Sequence, residues 1–282
     1  MYLATTSLVC LMLVGCGPPS AADNQVRADR ALGGAVATFA SATPAPVRQA
    51  ATADQWAQAV EQVFDKVNVK RLRDKKNPAY VEDQGKPDQN GVIEYFACFD
   101  KAPPKCELPS SGRRDGFKKI QFFADPAMEF SDLAAKYTPA TGKPSVRAYI
   151  TLRDCHPPSI VLNPAFRAAN WMFVEQFGVM VDDHIVIDRK FDSSQVERDN
   201  SPREISESMH VVLNAQEVDA LREVVRGRQV VIRLTGKKGY VGVDQAGTRE
   251  FVQGVARLLR IHDALGQAIK GLGSVIDVAC PV

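Results

Sequence analysis

The periodicity of apolar positions changes character along the chain. In "TADQWAQAVEQVFDKV", Trp56, Val60, Val63, Phe64 and Val67 recur at helical spacing. Thr52 and Gln55 stand at capping-box positions, so the pattern predicts a long N-terminal helix from residue 52. From Gly91 the period shortens to that of strands. "GVIEYFAC", "FKKIQFF" and "SVRAYITLRDC" are short and rich in aromatic and β-branched residues. The third alternates: Val146, Ala148, Ile150 and Leu152 share one face, while Arg147, Tyr149, Thr151 and Arg153 share the other, which should be wet. "HPPSIVL" begins another strand. "NWMFVEQFGVMVDDHIVIDRKF" reads as a hairpin turning at Asp182-Asp183.

After the polar stretch "DSSQVERDNSPRE", "ESMHVVL" is expected to be a strand. "NAQEVDALREVVRG" is a short helix capped by Asn214 and Glu217, with Gly227 at its end. "RQVVIRLTGKKGYVGVD" is a second hairpin, turning between Gly236 and Gly239. The last helix, "GTREFVQGVARLLRIHDAL", places Phe251, Val252, Val255, Leu258, Leu259 and His262 on one face, and "GSVIDVACPV" is expected to close as a strand. Helices lie at the ends and between groups of strands, without a repeating βαβ rhythm. The expected class is therefore α+β: mainly antiparallel sheet with a long N-terminal helix, a short helix and a C-terminal helix. The best internal boundary is the Pro/Thr/Gly-rich stretch near residues 138–145.

The first residues follow a different logic. Leu8 to Val14 are apolar, too short a run for a span of ~20 residues but long enough for a signal-peptide core. Gly17-Pro18-Pro19-Ser20 then stops any helix. Leu13-Val14-Gly15-Cys16 resembles the lipobox of bacterial lipoproteins, although no Lys or Arg precedes Arg27. The resemblance covers only about the first twenty residues. It implies cleavage after Gly15 and lipidation of the Cys16 thiol. Gly17 in place of the retention-marking Asp implies the outer membrane, facing the periplasm. Residues 1–15 are then the signal peptide, 16–51 an Ala/Pro/Ser/Thr-rich tether and 52–282 the globular region. A tether of about 35 flexible residues reaches ~30–35 Å.

Export changes how the cysteines are read. With Cys10 removed and Cys16 acylated, Cys98, Cys106, Cys155 and Cys280 remain, an even set that suggests two disulfides. Four cysteines allow three pairings. "CFDKAPPKC" closes a short Pro-containing loop and favours Cys98–Cys106, which leaves Cys155–Cys280 by elimination.

Composition adds little. The chain has 282 residues, 45% hydrophobic and 24% charged, enough for a real core. Its formal net charge of +2 gives no bulk case for nucleic acid. There is no GxSxG, HExxH, GxGxxG or P-loop, and no CxxC pair, so no catalytic residue, cofactor or metal ligand is assigned. "DQNG" at Asp88 is read as a turn, because the positions of a calcium loop around it are wrong. Among the histidines, His156 is a turn residue, His184 starts a strand after two Asp, His210 faces solvent and His262 belongs to an apolar helix face. The run from Lys66 to Lys76, with Lys70, Arg71 and Arg73, reads first as a solvated basic helix end, and second as a patch for anionic lipid or an acidic partner.

The candidate binding surface is the second hairpin, where Arg233, Lys237, Lys238 and Tyr240 set cations and an aromatic around a Gly-rich turn. A charged edge that blocks strand aggregation would look the same. The expected role is that of a lipid-anchored envelope protein acting by protein–protein binding, as an accessory subunit or an immunity-type inhibitor of a secreted effector. Its expected partners are the bilayer, through the acyl groups, and one protein. An envelope hydrolase with an unrecognised site and a structural spacer are the rivals.

Overall fold

A computed structural model describes residues 52–67, 87–100, 106–126, 128, 142–201 and 204–272. All belong to one compact unit, Val47–Val282. Helix α1 is Ala53–Glu61, and strands β1 (Asp65–Val67), β2 (Val92–Cys98), β3 (Pro109–Asp115), β4 (Ile120–Ala124), β5 (Lys143–Arg153) and β6 (Ser159–Ala168) follow. β7 (Val174–Val181) and β8 (His184–Lys190) form a hairpin, then come β9 (Glu197–Asn200), β10 (Ile205–Ser208) and β11 (Val211–Val212). Helix α2 (Ala215–Arg226), β12 (Val230–Gly236), β13 (Gly239–Gly242) and helix α3 (Gln245–Lys270) complete the order.

The strands make two sheets. The larger runs β1-β2-β3-β4-β5-β6-β10-β9, with β11 also on β6, and the smaller runs β13-β12-β7-β8. Every pairing is antiparallel. α3 packs on β5, β12, α1 and α2, so it joins both sheets to the other helices. Its buried residues Phe251, Val255, Leu258, Ile261, Leu265 and Ile269 recur at helical spacing. They enter one apolar cluster that contains Phe123, Ile150 and Leu162 of the large sheet and Phe177, Ile232 and Leu234 of the small one. No helix among the described residues is long and apolar enough to cross a membrane.

The expected architecture needs correction at its N-terminal end. The helix that starts under the Thr52–Gln55 capping box is not long: it spans nine residues and ends at Glu61. Beyond it Phe64 turns into an aromatic cluster, with ring centroids 5.2 Å from Phe99 and 5.4 Å from Phe123. Asp65, Lys66 and Val67 then pair with Cys98, Ala97 and Phe96. Burying Phe64 among three rings while closing a sheet edge outweighs one more helical turn. The long helix is α3, with 26 residues.

Two strands lie where polar sequence predicts none. β3 reads "PSSGRRD" and β9 reads "ERDN". "FKKIQFF" pairs only from Ile120 onward, since residues 116–119 form a turn that leaves Phe117 exposed. The expected closing strand after residue 272 lies outside the described residues.

Candidate functional site

The small sheet carries the predicted hairpin. β12 alternates outward Val231 and Arg233 with buried Ile232 and Leu234. Thr235 lies opposite Tyr240, and Arg233 opposite Gly242. The Arg233 guanidinium stacks over the Tyr240 ring, 5.4 Å from its centroid. Tyr240 stays 70% exposed, Ile185 64% and Val231 38%. Val231 pairs with Met180, which pairs with Ile185, and Arg233 with Gly178, which pairs with Asp188. Together these side chains form the outward face of the small sheet, whose other face is core. A shallow groove of about 110 Å³ crosses it between Met180, Ile185, Val231 and Arg233.

Lys237 and Lys238 belong to a different environment. Gly236 lies against the backbone of residues 172 and 173, and an added Cβ would come within 2.5 Å of the Met172 carbonyl. The Lys237 and Lys238 N–H groups donate to the Phe173 and Met172 carbonyls at 3.2 and 3.3 Å. Lys237 Nζ faces Glu175 at 3.7 Å, while Lys238 Nζ lies 5.2 Å from the Phe173 ring, which Arg198 also approaches at 6.0 Å. Two of the four predicted residues thus secure the hairpin tip and two face outward.

The loop under the tip is fixed by a group the sequence does not single out. The Glu207 carboxylate is fully buried and accepts from three consecutive N–H groups, Met172 (2.9 Å), Phe173 (2.9 Å) and Val174 (3.1 Å). Phe173 adopts φ 56°, the left-handed conformation that lets successive N–H groups converge on an anion. Arg198 Nε donates to the same carboxylate at 3.1 Å. Glu207 itself fills this anion cradle.

At the other end of β12, Asp182 and Asp183 both have positive φ, 44° and 72°, as a two-residue I′ turn requires. Asp182 accepts from the Gln229 N–H at 2.9 Å and the Arg228 N–H at 3.2 Å. These bonds, the Gln229 one foremost, hold its carboxyl below the usual range. His184 meets Glu223 at 3.2 Å, a contact that raises the imidazole's pKa. The acidic pair and His184 are therefore parts of a turn and of a link to α2.

A second concavity lies on the outward face of the large sheet, about 320 Å³ in volume. Small residues Ser111 and Ala124 form its floor beside Phe96, Phe122 and Tyr149. Tyr149 Oη lies 2.9 Å from His210 Nδ1, whose Nε2 is 3.7 Å from Glu197. Burial pushes the Tyr149 phenol up, so it stays protonated. Arg147 donates to Asn163 at 3.0 Å, and Asn163 to the Met209 carbonyl at 2.8 Å. His210 takes part in this network instead of merely facing solvent.

The remaining predicted residues are dispersed. Cys98 and Cys106 are joined, with Cα atoms 5.7 Å apart. Asp100 lies beside them, but bridged sulfurs leave no thiolate for a metal ion. Cys155 is also disulfide-bonded. Its expected partner Cys280, the lipidation site Cys16, the tether, and Lys70, Arg71 and Arg73 lie outside the described residues. Asp88 accepts from the Asn90 and Val92 N–H groups at 2.8 Å, the geometry of a turn. His262 is mostly buried beside Asp263. No family model matches this chain, no curated protein matches it and no solved structure matches it.

Proposed function

We propose that this protein is a lipid-anchored component of the bacterial outer membrane, facing the periplasm, whose folded part binds another protein through the open face of its small sheet. The observation that carries the binding half is the set of exposed side chains there: Tyr240 stacked with Arg233, flanked by Val231 and Ile185. A rigid sheet pays little entropy to present them, and Tyr and Arg are the residue types that dominate binding energy at interfaces. Asp188 and Gln176 border the patch and bond to each other at 2.5 Å, which supplies a polar rim. The anchoring half rests on the lipobox resemblance around Cys16. Accessory subunit and immunity-type inhibitor both use such a surface, and a toxic secreted effector is the partner in the second case.

The test joins both halves. A photo-crosslinking residue at Tyr240 in the full-length protein should trap one defined envelope protein. Tyr240→Ala with Ile185→Ser, read with a cross-linker at position 231, should lose that adduct without lowering the thermal midpoint by more than about 2 °C, as the side chains are exposed. Cys16→Ser should abolish the acyl mass and release the protein from the membrane. No adduct at either position would overturn the binding half, and an unmodified wild-type N-terminus would overturn the anchoring half.

A further inference from the structure

β12 is fully paired on one side only. It runs beside β7 from Val230, opposite Val181, to Gly236. β13 accompanies only its second half, residues 233–236. The Val243 N–H still reaches the Ile232 carbonyl at 2.9 Å, and there the ladder stops. Backbone polar groups alternate from side to side along an antiparallel strand. Those of Ile232 point away from β7, so those of Val230 do too. Among the described residues, nothing bonds to the Val230 N–H and C=O on that side.

Against this free edge lies a groove of about 500 Å³, closed on its far side by the first turns of α3. Val243 and Val252 give it apolar floor, and Gln229 and Gln253 give it amides. Arg228 and Arg249 stand at its rims, both exposed. None of its described lining residues is acidic. Arg228 has Asp182 as a neighbour, whereas Arg249 makes no ion pair among the described residues. An open strand edge beside a positively charged, partly apolar groove matches one kind of ligand.

We infer that this edge is a docking site for an extended acidic segment of a protein partner, which adds as a short strand beside residues 230–232 and sets its carboxylates toward Arg228 and Arg249. The inference rests on the protein-binding function proposed above and names the partner's chemistry. Alternate side chains of an added strand point to opposite faces, so a segment alternating Glu with Val would meet the arginines on one face and Val243 and Val252 on the other. The free edge is short, so ladder bonds and charge both contribute to the attraction, and charge supplies most of the encounter rate.

The probes are three labelled, end-blocked hexapeptides added to the full mature chain in detergent: alternating Glu-Val, alternating Lys-Val, and Glu-Val with every second amide N-methylated. Anisotropy should show the Glu-Val peptide binding about tenfold more tightly than either control at low salt, since one lacks the charge and the other the ladder. Arg228→Glu with Arg249→Glu should weaken it by about tenfold or more, and hydrogen exchange at the Val230 amide should slow only with Glu-Val. Equal binding of the Glu-Val and N-methylated peptides, or unchanged exchange at Val230, would overturn strand addition. A parallel cross-linker at position 249 separates the two claims. An envelope protein trapped at 240 but not at 249 would leave protein binding standing and overturn the edge site. Trapping at neither would overturn both.

Discussion

Glu207 is the residue on which the loop under the β12–β13 tip depends most. Its carboxylate has no exposure, yet it is one of the more polar groups in the sequence. It is tolerated because three N–H groups and the Arg198 guanidinium replace its water. The same bonds hold Phe173 in its left-handed conformation, and Phe173 in turn accepts the hairpin tip through Lys237. Glu207→Ala would leave three N–H donors facing an apolar void and Arg198 without its partner. The expected loss is about 3–5 kcal/mol in urea unfolding, as for a broken buried charge network. Arg198→Ala should cost less, because the three N–H bonds remain. A loss for Glu207→Ala no larger than that for Arg198→Ala would show that the loop does not need the carboxylate.

At the scale of elements, α2 and α3 are joined by a fork of Arg222 on Asp263, at 2.9 and 2.7 Å. The guanidinium bond, foremost, holds the Asp263 carboxyl below its ordinary value of 3.8, and a bond from His262 adds to this. A carboxylate with a depressed folded value stabilises the fold above the unfolded value and loses that contribution as pH falls through the folded one. Asp263→Asn should therefore be less stable than wild type at pH 6, and the gap should narrow as pH falls below the ordinary value of 3.8 and through the lower folded one. The pair is half exposed, so the gap is small, and a gap that widens on acidification would contradict the assignment. The caps of α1 and α2 were legible in the sequence: Thr52 with Gln55 and Asn214 with Glu217 both form reciprocal boxes. The turn at Asp182-Asp183 was legible as well, because two residues must change the hand of the backbone there. The end of α1 was not, since the helical spacing of Val63 and Val67 continues past the point where a sheet edge takes over the backbone. β3 was invisible to pattern because it has no apolar alternation; Tyr95 covers its Gly112, where a Cβ would meet the ring at 2.3 Å. At the site, the hairpin's cations and aromatic stood out in the sequence. Arg249 and Glu207 did not, because their roles depend on neighbours brought near only by the fold.

For the whole molecule, the central question is how the large sheet affects the small sheet, on which the proposed binding face lies. α3 is the physical link, and Asp125 is where the large sheet holds it. That residue follows β4 directly, is 1% exposed, and forms a two-pronged ion pair with Arg257 of α3. Nearby, Met128 fills the space over Gly254, where a Cβ would lie 2.6 Å from its methyl carbon. Asp125→Ala would strand a partly buried guanidinium at this junction and should cost about 3 kcal/mol. Arg257→Met alone should cost at least as much, because the abandoned carboxylate is the deeper group. Removing both should cost less than the sum of the two, with a coupling of about 1–3 kcal/mol, since neither charge is then left alone. A loss of about 3 kcal/mol corresponds to roughly 6–12 °C in the midpoint for a domain of this size. Function should respond differently. Arg233, Tyr240 and the edge of β12 belong to the small sheet, and α3 lines the groove beside that edge with residues between Gln245 and Gln253, before Arg257. Well below the lowered midpoint, Asp125→Ala should therefore capture the partner at position 240 as efficiently as wild type. A variant that remains folded by circular dichroism yet loses capture would mean that the junction sets the geometry of the binding sheet as well as the stability of the fold.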